Sequence, residues 1–242
     1  MWTPTALASE AHPAKGLVWR AVEDQHRAST RKLVDTVEEH DLLESLLDRD
    51  KPPYPPEARD LHYLLKTPFR YHPPAPQGSR FRRYLVDSGV FYGAEAVRTA
   101  LAELAYWRLR FFRDAPDANL PRQEERLTVF STRFATQRQL DLTRPPLNKD
   151  RKRWTRRDDY SATQALAERA RRADIEVIRY ESVRDAQQGA NVALLTAKAF
   201  AARKPQTQQT WFLYLAPTEV NFNRAHAQGA GERWVFPVSQ FI

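Results

Sequence analysis

Downstream of Arg126 the chain is a succession of short β-rich runs with a single helix-like segment among them, and that pattern leaves few folds open. Arg126–Phe134, Ile175–Ser182, Gly189–Leu195, Thr210–Leu215, Glu219–Phe222 and Arg233–Val238 are rich in β-branched and aromatic residues, and Leu140–Leu142 extends the first of them. Parallel neighbours need a long crossover between them, whereas most of these runs follow one another through short connections. The expectation is an α+β fold with a mostly antiparallel central sheet. Tyr160–Ala173 is the helix, with Ala162, Leu166, Ala167 and Ala170 on one side.

The N-terminal third reads differently. From Leu17 to Asp50 helix formers dominate, and Leu33, Val34, Val37, Leu42, Leu43, Leu46 and Leu47 recur at helical spacing. Asp41 and Glu44 have the spacing of a capping box, which marks a restart there. At least two helices are therefore expected before any strand. Lys51–Pro56 ends them, because each proline fixes its own φ and pushes the preceding residue to extended geometry. With 242 residues and 42% hydrophobic content, one sizeable core is expected. The division drawn is an N-terminal helical extension over 1–56 and a single domain over 57–242.

Chemistry concentrates between Thr67 and Glu103. Arg70, Arg80, Arg82 and Arg83 are planar, permanently charged forks suited to phosphate oxygens, and the Gly78-Ser79 pair lets backbone approach a ligand. A second proline cluster, Pro73, Pro74 and Pro76, stiffens the segment between them. Tyr92 closes an apolar run ahead of Gly93, which places its ring to face a planar base. In the following helix, of roughly Ala94 to Arg113, Val97, Ala100, Leu101, Leu104, Trp107 and Phe111 form one face, and Glu103 falls on its border. Arg108 falls within that stripe and calls for a carboxylate partner or a pocket. Ser182 stands at a strand end, a position equally suited to a binding side chain and to a simple cap.

The remaining features mostly exclude. Thirty-eight basic residues against thirty acidic ones give +8, a balance that favours anionic ligands. Without cysteine there is no disulfide, thiol nucleophile or thiolate metal site. The six histidines lack metal-site spacing, so no metal is expected. GxxxxGK, GxGxxG and GxSxG motifs are absent. No apolar run is long enough for a membrane span and no signal sequence opens the chain, which leads to a cytoplasmic expectation. Asn148–Arg157 is the densest basic run. It is read as a solvated loop, with nucleic-acid binding as the competing reading.

GSRF at 78–81, GVFYGAEAVRTALAE at 89–103, DYSATQALAERARRADIEVIRYESVRD at 159–185 and GANVALL at 189–195 together resemble the RES domain family. WRAVEDQHRASTRKLVDT at 19–36 and TPFRY at 67–71 are similar to its longer members, so the resemblance covers most of the chain. The arginine, glutamate and serine that name the family match Arg80, Glu103 and Ser182, with Arg70 as the other match for the leading arginine. The resemblance implies a fold similar to ADP-ribosyltransferases and a toxin of a bacterial toxin–antitoxin pair. It implies cleavage of the nicotinamide–ribose bond of NAD+, a substrate rather than a resident cofactor, with water, phosphate or a protein side chain as acceptor. Glu103 would steady the oxocarbenium-like charge, Arg80 with Arg70 would hold the pyrophosphate, Tyr92 would pack on the nicotinamide or its ribose, and Ser182 would orient the substrate or the attacking group. The implied partner is an Xre-type helix-turn-helix antitoxin, in a dimer or higher hetero-oligomer that covers the site, with no direct DNA binding by this chain.

Overall fold

The computed structural model describes residues 2–24, 33–49, 51–71, 78–84, 89–115, 119–225 and 231–241. Pro73, Pro74 and Pro76, and the histidines His26, His72 and His226, lie outside them. In chain order the elements are α1 (Pro4–Ser9), β1 (His12–Glu23), α2 (Val37–Arg49), α3 (Tyr63–Lys66), β2 (Phe91–Ala94), α4 (Val97–Asp114), β3 (Glu125–Asp141), α5 (Arg151–Trp154), α6 (Ser161–Arg172), β4 (Val177–Glu181), β5 (Ala190–Leu194), β6 (Thr207–Leu215), β7 (Glu219–Arg224) and β8 (Arg233–Pro237).

The eight strands form one sheet in the order β1-β2-β5-β4-β3-β6-β7-β8. All of these neighbours run antiparallel except β3 and β4. An additional β1–β3 ladder, running from His12 opposite Gln139 to Glu23 opposite Leu127, closes β1, β2, β5, β4 and β3 into a ring. The long β3 serves as the shared spine. Its first half pairs with β6, and its end at Gln139–Asp141 pairs with β4. The α+β, mostly antiparallel architecture expected from the sequence is the one observed.

Three apolar clusters hold it together. One draws Val18, Phe91, Phe130, Val177 and Val192 from the five ring strands and adds Leu64, Leu65 and Phe69 from the α3 region. Another packs Leu166, Ala167 and Ala170 of α6 on Leu140, Ile178 and Ala193. The third seats Leu101, Ala105 and Tyr106 of α4 against Leu127, Trp211, Phe222 and Phe236.

Four sequence expectations are corrected. Leu17–Glu23, read as helical from its composition, is the second half of β1, because pairing along the whole of β3 outweighs a weak local preference for helix. The sheet thus reaches back through the 1–56 segment, whose helices are α1 and α2. The capping box of α2 is Thr36 with Glu39: the Glu39 amide donates to Thr36 Oγ1 at 3.1 Å and the Thr36 amide to Glu39 Oε2 at 3.2 Å, which leaves Asp41 inside the helix. On α4 the buried arc runs through Ala102, Ala105 and Tyr106, while Trp107 and Phe111 are 39% and 58% exposed. That rotation sets Leu104 and Trp107 beside a cavity, with Leu104 still packed against the edge of the core.

The Asn148–Arg157 run, read as a solvated loop, is a helical turn closed by α5, with Trp154 buried and its indole donating to the Leu147 carbonyl at 2.8 Å. Several of its charges have partners in the chain: Arg151 forks onto Glu181, Arg156 meets Asp159, and Arg157 donates to the Gln240 carbonyl. Arg108 has the carboxylate partners its place in the stripe demanded, donating from Nε to Glu125 Oε2 at 3.0 Å and from Nη1 to Glu23 at 2.7 Å, which ties α4 to β1 and β3.

Candidate active site

A cavity of about 510 Å3 lies between α4, β1, β2 and the 78–82 turn. That volume suits a nucleotide-sized ligand. Gly78 opens the turn at φ 71°, and a Cβ there would stand 2.3 Å from the Arg82 carbonyl oxygen, so only glycine fits. The Ser79 amide donates to the Arg82 carbonyl at 2.8 Å and the Arg82 amide returns the bond at 3.1 Å. The Tyr92 phenol pins the turn to β2, accepting from the Phe81 amide at 3.0 Å and sharing a 2.9 Å bond with Ser79 Oγ. Burial raises the Tyr92 pKa, so that hydroxyl stays neutral.

Glu103 of α4 stands at the cavity wall, half-buried. Its Oε1 accepts from Ser182 Oγ at 2.7 Å and from Asn191 Nδ2 at 2.6 Å. Its Oε2 has no hydrogen-bond partner among the described residues. Ser182 in turn accepts at Oγ from the amides of Arg184 at 3.2 Å and Asp185 at 3.1 Å. With its own proton directed at Glu103 and its oxygen filled by two amides, the serine is a brace for the carboxylate. It is buried and does not line the cavity.

The arginines separate into three environments. Arg80 lines the cavity, but Nη1 donates to the Trp154 carbonyl at 2.7 Å and Nη2 to the Arg156 carbonyl at 3.1 Å, with the guanidinium 5.0 Å from the centre of the Tyr160 ring. Both of its terminal nitrogens thus hold the basic run in place. Arg184, 2% exposed, does the same from the other side, donating to the Arg157 carbonyl and lying 3.3 Å from the centre of the Tyr106 ring. Arg70 does not line the cavity. Its Nε donates to the Pro52 carbonyl at 2.6 Å, and it lies 4.4 Å from the centre of the Tyr54 ring. Arg20 of β1 also lines the cavity. It is half-buried, it donates from Nη1 to the Tyr92 carbonyl at 3.1 Å, and it lies 5.0 Å from the centre of the Phe91 ring. Burial lowers its pKa to about 10, which leaves it charged at neutral pH.

Of the residues singled out in the sequence for their chemistry, Arg80, Arg82, Tyr92 and Glu103 line the cavity, Ser182 reaches it through Glu103, and Arg70 lies apart. Arg20, Asn191, Tyr180 and Arg184 also line it and were not singled out. A helical reading of β1 hid Arg20; in strand register Val18, Arg20 and Val22 share one face. Asn191 carried a readable signal, a lone amide inside the apolar run GANVALL. Among the described residues no cluster of His, Asp and Glu could hold a metal ion, and no helix is long and apolar enough to cross a membrane.

The fold and cavity define an α+β protein in which one oxygen of a braced carboxylate faces a nucleotide-sized space walled by arginine and tyrosine. More particularly, the chain belongs to the RES domain family, whose model matches residues 52–215. No curated protein sequence matches it. Among solved structures, one chain of the crystal structure of the M. tuberculosis MbcT-MbcA toxin-antitoxin complex is similar at 15% identity and a TM-score of 0.47, over 86% of this chain and 92% of that chain.

Proposed function

We propose that this chain is the toxin of a toxin–antitoxin pair and degrades NAD+ by cleaving its nicotinamide–ribose bond. The observation that carries the proposal is Glu103: Oε1 is fixed by Ser182 and Asn191, and Oε2 is left for a ligand in a cavity with arginine on its walls. As the C–N bond breaks, its electron pair leaves with nicotinamide and positive charge develops on the ribose. A carboxylate already oriented toward that position stabilises the charge without reorganising. Arg20 is proposed for the pyrophosphate: it lines the cavity and commits only Nη1, to the Tyr92 carbonyl, whereas Arg80 commits both terminal nitrogens to backbone carbonyls. Water attacking the ribose carbon gives ADP-ribose and releases a proton; phosphate gives the corresponding sugar phosphate.

The experiment is a mass spectrum of NAD+ incubated with the purified protein, with and without phosphate and with and without a bacterial lysate. Nicotinamide with free ADP-ribose or its phosphate is the expected result. Unchanged NAD+ would overturn the proposal, and ADP-ribose mass appearing only on a protein would replace it with ADP-ribosyl transfer. Arg20→Lys keeps the charge but loses the fork, and is expected to raise the KM for NAD+ about tenfold with a smaller change in kcat. Initial rates across substrate concentration check this, and an unchanged KM would remove Arg20 from the binding role. The antitoxin, of the Xre helix-turn-helix type, is proposed to cover the cavity mouth. Tyr71 and Trp107 line the cavity and are 40% and 39% exposed, which leaves apolar surface for such a partner.

A further inference from the structure

Tyr180 is a polar side chain that the chain itself leaves incompletely used. It is 6% exposed, lines the cavity, and its hydroxyl has no hydrogen-bond partner among the described residues. Its place in the sheet locates it closely. On β4 it pairs with Asn191 of β5, and residues directly opposite one another in a ladder project from the same face with Cβ atoms about 4.5–5.5 Å apart. Two residues further along, on the same face, comes Ser182. Asn191 and Ser182 are the two residues that donate to Glu103 Oε1, so Tyr180 flanks the pair that orients the carboxylate.

Burial first, and then the neighbouring Glu103 charge, hold the Tyr180 phenol well above its ordinary pKa, so it stays protonated. Packing accounts for its ring, which meets Phe81 edge to face at 4.8 Å between centroids, but not for its hydroxyl. A sugar hydroxyl needs one acceptor and one donor, and the wall offers both: Glu103 Oε2 to accept and Tyr180 to donate.

We propose that Tyr180 is a substrate-contacting residue, its phenol donating to a hydroxyl oxygen of the nicotinamide-side ribose whose proton goes to Glu103 Oε2. This deepens the NAD+ reading and rests on it. Tyr180→Phe removes the donor and keeps the ring on Phe81. The variant should bind ADP-ribose about tenfold more weakly than wild type by calorimetry, the equivalent of one hydrogen bond, and should bind ADP, which lacks the second ribose, as wild type does. Its kcat/KM for NAD+ should fall about tenfold to a hundredfold with an unchanged melting temperature. Equal losses for ADP and ADP-ribose would make Tyr180 a structural residue, and undiminished ADP-ribose affinity would remove the contact; either overturns the inference. A wild-type protein that neither consumes NAD+ nor binds ADP-ribose would instead overturn the NAD+ reading, and this inference with it.

Discussion

Replacing Glu103 by Gln is expected to lower NAD+ turnover by about 10²–10³-fold while leaving the melting temperature close to that of wild type. The substitution is nearly isosteric, and the amide oxygen still accepts from Ser182 and Asn191, so packing around the side chain survives. What disappears, on the proposed reading, is the negative charge that would face the ribose as the bond to nicotinamide breaks. Binding of uncleaved NAD+ should change far less than kcat, because the charge it stabilises is largest in the transition state. Steady-state rates and thermal melts measure both halves of this expectation. A variant retaining more than a tenth of wild-type turnover would place the decisive carboxylate elsewhere.

The largest effect on stability is expected at Asp185, which touches no ligand. Its side chain is 2% exposed, and it accepts from Thr99 Oγ1 at 2.8 Å, from the Gln187 amide at 3.0 Å and from the Arg98 guanidinium. These bonds fasten the first turn of α4 to the loop after β4. They are packed so closely that a Cβ on Gly189 would stand 2.1 Å from Thr99 Oγ1. Asp185→Ala leaves Arg98, only 16% exposed, without its carboxylate and Thr99 without its acceptor. A loss of about 3 kcal/mol is expected, or roughly 6–12 °C in melting temperature. Because the clamp also sets α4 against Ser182 and Asn191, catalysis should weaken even in the folded fraction. Chemical denaturation yielding a difference below about 1 kcal/mol would show that the clamp holds little.

The readability of the site followed how local each signal was. The strand runs beyond Arg126 and the helix over Ser161–Arg172 declare themselves through alternation and spacing, and appear within a few residues of their expected bounds. Glu103 on the border of an apolar stripe was visible in the same way. The exact rotation of α4 was not, because tertiary packing against β3, β6 and β8 chose Ala102 and Tyr106 over Trp107 and Phe111 as the buried side. Arg80 was visible as a cation but not as a brace, since its partners are backbone carbonyls of Trp154 and Arg156 and those have no sequence signature. Arg20 was lost with the misreading of β1, whose strand character comes from a ladder to β3 far along the chain. Tyr180 becomes conspicuous only once the β4–β5 register sets it beside Asn191.

The β1–β3 ladder also imposes an order of events on a chain still being synthesised. Val18 and Arg20 emerge early, yet they settle only opposite Thr132 and Phe130, and the oxygen of Glu103 waits for Ser182 and Asn191. Contacts of such long sequence separation form slowly, and a chain grows by only about 5–20 residues per second. On this topology a nascent fragment ending before Asn191 lacks one of the two donors that fix Glu103 Oε1, so the braced carboxylate is assembled only after β5 has joined the sheet.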